Sequence, residues 1–186
     1  MIKKIALGIL GLLVLFVIVV AMQPSKMHIE RTAKFSAPPA AVYAQMNSLR
    51  KGAEWSPWSR LDPAMKKSWE GPEEGVGAIY RWDGNDQVGE GSMTILESRK
   101  DELVKLKLEF VRPMADVATA TYAIKPEGSG TSVTWSFDGE QSFMEKAVCL
   151  FMDLDAMLGA QFEEGFANLR KVLETSADGG KVAEGT

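Results

Sequence analysis

FMDLDAMLGAQFEEGFANLRKVLE, residues 151–174, is the stretch on which the fold turns. Phe151, Leu154, Leu158, Phe162, Leu169 and Leu173 fall mostly three and four residues apart, the spacing that lays an apolar stripe along one side of a helix. The stripe predicts one long helix over about 143–174, in need of an apolar partner. Gly159 and Gly165 are costly inside a helix, so each predicts a close approach of the helix to the sheet or to a ligand.

The partner is written upstream in alternation. Val104, Leu106, Leu108 and Phe110 interleave with Lys105, Lys107 and Glu109, and Val133, Trp135 and Phe137 oppose Ser132, Thr134 and Ser136. A period of two gives strands with one dry and one wet face, as in an antiparallel sheet covered on one side. Further strands are predicted at 27–35, 66–70, 78–82, 91–97 and 117–125. GPEEGVG, Asp83-Gly84-Asn85-Asp86 and Glu127-Gly128-Ser129-Gly130 supply the turns. Ser36-Ala37-Pro38-Pro39 opens a short helix over 40–46. The expected class is α+β, a long C-terminal helix lying across a curved antiparallel sheet of about six to seven strands.

EWSPWSRLDP, residues 54–63, cannot be one regular helix. Pro57 and Pro63 hold Ser56 and Asp62 extended, which predicts a stiff connector at one end of the sheet. Trp55 is expected to close the core there, and Trp58 to stand at the rim of any pocket.

The first residues are of another kind. IALGILGLLVLFVIVVAM, residues 5–22, carries no charge and at about 1.5 Å per residue comes close to crossing a hydrocarbon layer of about 30 Å. The run is longer than the usual apolar core of a cleaved secretory signal, which favours an uncleaved single-pass anchor over 1–23. Lys3 and Lys4 ahead of the span and Lys26, Arg31 and Lys34 behind it leave the charge count undecided. The short basic N-terminus before a long domain is the usual layout of a signal anchor, so the domain is expected outside the cytoplasm. The domain is expected over 24–175, with a polar, disordered tail over 176–186.

Two of the 21 basic side chains, Lys3 and Lys4, precede the domain, so 19 face 25 acidic ones, a net charge of −6. Such a domain is not built to hold nucleic acid phosphates, nor to grip lipid headgroups by charge. Cys149 is the single cysteine, so no internal disulfide forms; its apolar neighbours suggest a small buried hydrophobe. Phe143, Met144, Phe151, Met152 and Met157 make the approach to the long helix soft and apolar. Buried packing is the expectation there, with contact to a bilayer or a ligand entrance as the alternative.

Catalytic chemistry is thinly supplied. His28, the only histidine, falls on the wet face of the first strand, so neither an HExxH zinc motif nor an ordinary serine triad can be assembled. Asp153 and Asp155, like Glu163 and Glu164, diverge on a helix, and Asp83 and Asp86 read as a turn. Neither GVGAIY nor GEGSMT completes a dinucleotide fingerprint, so neither metal nor cofactor is expected. If strand parity is regular, Arg81 and Glu90 face water, unless a bulge at Gly89 or Gly91 turns Glu90 inward.

Strand, short helices, six antiparallel strands and a closing helix form one pattern with several motifs. These are WSPW with Asp62-Pro63, Tyr80-Arg81-Trp82, GEGSMTI, Phe110-Val111-Arg112-Pro113, GSGTSVTWSFDG and GAQFEEGFANL. Over 29–173 the whole resembles the helix-grip fold of the START-like (SRPBCC) superfamily, in its polyketide cyclase/dehydrase branch. Trp58, Tyr80, Trp82, Met93, Phe110, Tyr122, Trp135 and Phe162 could either fill a core or line a cavity for an apolar molecule. The resemblance implies the cavity, and with it a hydrophobic small molecule or lipid as partner. It also implies a cyclase or dehydratase as an alternative, for which Arg81, Glu90 or Tyr122 would be the polar group. A third possibility is an interaction module of the cell envelope with a filled core.

Overall fold

The structure is a computed structural model that describes residues 2–183, with side chains through Ser176. Its strands are β1 (Lys26–Phe35), β2 (Lys66–Glu70), β3 (Ile79–Asp83), β4 (Glu90–Arg99), β5 (Leu103–Arg112), β6 (Asp116–Glu127) and β7 (Gly130–Glu140). They form one antiparallel sheet in the order β1-β7-β6-β5-β4-β3-β2. The alternation produces the expected faces: Val104, Leu106 and Leu108 on β5 and Val133, Trp135 and Phe137 on β7 are buried.

The helices are α1 (Ile2–Met22), α2 (Pro39–Met46), α3 (Leu49–Trp55), α4 (Trp58–Leu61), α5 (Phe143–Cys149) and α6 (Leu154–Ala183). Two of them correct the connector expected around the prolines. Ser56 is extended, as Pro57 requires, but the chain is helical on either side of it. The single C-terminal helix also divides. Ser142 and Glu145 form a reciprocal capping box that starts α5, and the Asp153 carboxylate accepts the Ala156 N–H at 3.0 Å to start α6. Residues 150–153 are the joint. Of the tail expected over 176–186, residues 184–186 lie outside the described chain, and α6 continues in backbone to Ala183.

Phe162, Phe166, Leu169 and Leu173 are the buried stripe of α6. Both glycines mark where this helix comes closest to the sheet. A Cβ at Gly165 would stand 2.9 Å from the Trp135 ring, and one at Gly159 would overlap the Arg31 guanidinium. Arg31, at an inward position of β1, forks onto Asp155 at 2.8 and 3.1 Å and holds that carboxyl below its ordinary pKa. Asn168, buried on α6, donates to the Trp55 carbonyl at 3.2 Å and accepts from Arg60. One helix thus ties β1 at one end and the α3–α4 corner further along.

α1 is long and apolar enough to cross a membrane, a property that a secretory signal shares. It also touches the domain: Val20 is fully buried, and the Phe16 ring stacks on Phe151 at 6.5 Å.

The glycine contacts predict opposite outcomes for one substitution at two helical positions. Gly52→Ala in α3, where a Cβ meets nothing within 4 Å, should stabilise by up to about 1 kcal/mol through helix propensity. Gly165→Ala should destabilise by roughly 1–3 kcal/mol because Trp135 must shift. Urea unfolding of both variants reads the difference.

Candidate ligand cavity

Small residues on the dry face make room. Ala118 and Ala120 fall in phase with Tyr122 and Ile124 on β6, and Ala120 sits between Leu106 of β5 and Phe137 of β7. Above Ala120, under α3 and α6, lies a cavity of about 200 Å³. All eight aromatic and methionine side chains expected to converge do line it. Most are core residues as well, so filling the core and walling a cavity are not exclusive.

Trp135 organises the wall. Phe162 stacks flat on it at 4.2 Å, Tyr122 lies at 5.1 Å, and Trp55, Trp58 and Phe166 meet it edge-on at 5.8, 6.0 and 5.8 Å. On the far side Trp82 stacks on Tyr80 and meets Phe110 edge-on. Trp55 is buried and closes the core as expected, but it lines the cavity together with Trp58, which is only partly buried. Asp62 pins this corner by accepting the Asn85 N–H at 2.8 Å from the β3–β4 loop and the Ala64 N–H at 3.1 Å.

The cavity occupies one half of the sheet. Met65, Trp82, Val88, Phe110 and Phe137 lie near the β2 start, the β3 end, the β3–β4 loop and the ends of β5 and β7. The pairings put all of these at the sheet end where β1 begins. Trp58, Val88, Met93, Phe110 and Leu158 are the large lining side chains left partly exposed, beside Gly52, Ala53 and Ser56, and of these Val88 and Phe110 lie at that sheet end.

Among the described residues, no acidic, basic, histidine or cysteine side chain lines the cavity. Its titratable groups are two phenols: burial pushes the Tyr80 hydroxyl up to about 12 and the Tyr122 hydroxyl further up. Both are neutral near pH 7 and can donate a hydrogen bond. The indole Nε1 atoms of Trp55 and Trp135, also on wall residues, are buried without a hydrogen-bond partner. A buried donor left unpaired costs about 1–3 kcal/mol.

The charged candidates stay outside. Arg81 faces water and pairs with Glu70 at 2.9 Å. A register shift does interrupt β4 between Glu90 and Gly91, yet Glu90 remains on the surface, bound at 2.9 Å to Arg112, which also reaches Asp83 at 2.6 Å. His28 is exposed beside Asp138 at 2.6 Å, which helps raise its pKa. Cys149 is half-buried rather than buried, because α5 packs too lightly to cover it; the Gln141 amide lies 3.0 Å from its sulfur.

The walls missed in the sequence are mainly Met46, Leu49, Met65 and Leu158, with Ala120 as the floor. Leu158 left a signal in the apolar stripe of the helix, and Ala120 as a small residue in phase with large ones on a dry face. Phe162→Ala, which removes the ring stacked on Trp135, should destabilise by about 3–5 kcal/mol and enlarge the space beneath α6. Chemical unfolding and uptake of a neutral apolar dye measure the two effects.

No curated protein matches the chain significantly. Its fold is found in solved structures that are distant in sequence. Protein MLL2253 from Mesorhizobium loti aligns with a TM-score of 0.58 at 14% identity, over 80% of this chain and 98% of that one. CV1439 from Chromobacterium violaceum gives 0.57 at 15%, over 82% and 99%. The Aha1 dimer from Colwellia psychrerythraea gives 0.57 at 14%, over 80% and 96%. At these identities the likeness is one of fold. Residues 26–174, nearly all of the helix-grip domain just described, match the family model for polyketide cyclase / dehydrase and lipid transport, and the chain belongs to that family.

Proposed function

We propose that this protein binds a hydrophobic small molecule or lipid between its sheet and α6, while α1 holds it to a membrane with the domain outside the cytoplasm. Family and fold support a ligand-binding or cyclase-type role. The observation that carries the binding reading is the character of the cavity: an apolar enclosure whose lining, among the described residues, contains no charged side chain. General acid–base catalysis needs a group that can exchange a proton near pH 7, and the two phenols are held well above that range. Neutral hydroxyls suit a different task, orienting a mostly apolar ligand through a carbonyl, ester or ether oxygen.

The core cluster lies entirely within 29–173, so residues 24–186 retain it without α1. That domain, purified and examined by native mass spectrometry and organic extraction, should carry or take up an apolar molecule. An empty protein that also fails to bind apolar dyes would sink the reading. Ala120→Phe, which raises the cavity floor, should abolish uptake while leaving the domain folded, at a cost of roughly 1–3 kcal/mol. Tyr122→Phe keeps the shape and should weaken a ligand bearing an acceptor about two- to tenfold, as expected for one hydrogen bond. Turnover of a polyketide-like substrate that disappears in Tyr122→Phe would instead favour the cyclase. For topology, a C-terminal reporter active only in the cytoplasm should stay silent.

A further inference from the structure

The exposed large apolar side chains outside α1 are concentrated at one end of the domain. Phe143 and Met144 on α5, Phe151 at the joint and Met157 in the first turn of α6 are 45%, 63%, 80% and 52% exposed. They were expected to be buried; instead α5 has no buried residue at all. Val111, Met114 and Val117 around the β5–β6 turn are similarly exposed. β1 begins, β5 ends, β6 begins and β7 leads into α5 at the same sheet end, because Lys26 pairs with Glu140, Gly139 with Ala118 and Phe110 with Asp116. Val88 and Phe110, partly exposed residues of the cavity lining, lie at this end too.

We propose that this end is a bilayer-docking face, in which α5, its joint to α6 and the β5–β6 turn sit in the lipid interface beside α1, so that the cavity exchanges its ligand with the acyl-chain region. The proposal rests on α1 spanning the membrane and is independent of which molecule the cavity holds. Exposed apolar side chains gathered at one end mark an interaction surface, and the span itself names the partner. Phe16 of α1 stacks on Phe151. Phe16 lies six residues before Met22, about 9 Å down the helix, within the depth of about 5–10 Å at which interfacial apolar faces are buried. A surface that touches a span at that level meets lipid. Charges at this end are of both signs, Lys26, Arg112 and Lys146 beside Asp116, Glu140 and Glu145, so apolar contact rather than headgroup charge is the attraction.

The test uses the full chain with Cys149→Ser and one new cysteine, from Met114→Cys, Phe151→Cys or Val76→Cys. Val76 is 59% exposed in the β2–β3 loop at the opposite end of the sheet. Each variant carries a bimane label in phosphatidylcholine vesicles doped with acyl-chain nitroxide lipid. Labels at 114 and 151 should be quenched severalfold more than the label at 76, and Val117→Cys provides a second site on the turn should Met114→Cys not fold. Equal quenching at 114 and 76 overturns the docking face. A label at 114 that is shielded from aqueous iodide yet untouched by the lipid nitroxide would mean that a second copy of the chain covers it, and would overturn the proposal too. Vesicle flotation separates the premises: a chain that floats with an unquenched 114 label loses only the docking face, and one that does not float loses the tether as well.

Discussion

The contact between α6 and Trp135 is the constraint from which the rest of the domain follows. Phe162 lies flat on the indole, and Gly165, a turn further on, lets the helix backbone come down against the same ring. A larger residue at 165 would lift the helix off the sheet; Phe162 alone, without that approach, would have no surface to stack on. Aromatic pairs of this kind add about 0.5–1.5 kcal/mol each beyond their buried area, and Trp135 takes part in five. The ring is therefore both the keystone of the core and the inner wall of the cavity.

That double role explains why a cavity persists in an otherwise close-packed interior. Rigid rings set edge to face cannot collapse into the space above Ala120, as flexible aliphatic side chains would. The α3–α4 corner completes the enclosure, held by Asn168 from α6 and by Asp62 from the strand side. The ion pairs of Arg31 with Asp155, Arg81 with Glu70 and Arg112 with Asp83 and Glu90 sit outside this shell. The charges brace the scaffold, and the interior keeps only neutral donors.

Much of this was legible in the chain. Strand parity placed Tyr80, Trp82 and Trp135 on one dry face, and a single helical stripe required a cover for it, so these rings could be expected to meet between sheet and helix. The two glycines announced the approach before any contact could be named. The break between α5 and α6 was also written, in Asp153 as the cap of α6, but the apolar residues around it, Ala147 to Met152 before and Leu154 after, masked that cap. The α3–α4 corner was less readable, since the prolines bar one continuous helix without excluding two short ones.

Sequence by itself determined the period of each element, the facing of each strand, the apolar first helix and the family pattern, because these depend on local spacing and composition. Tertiary structure decided what spacing cannot encode. Whether eight inward side chains fill a core or surround a space depends on the volumes of their neighbours on other strands, above all Ala120. Whether the methionines and phenylalanines of α5 and its joint to α6 are covered depends on what packs against them, and nothing in the domain does so fully. Facing is a property of one segment; space and exposure belong to several segments at once.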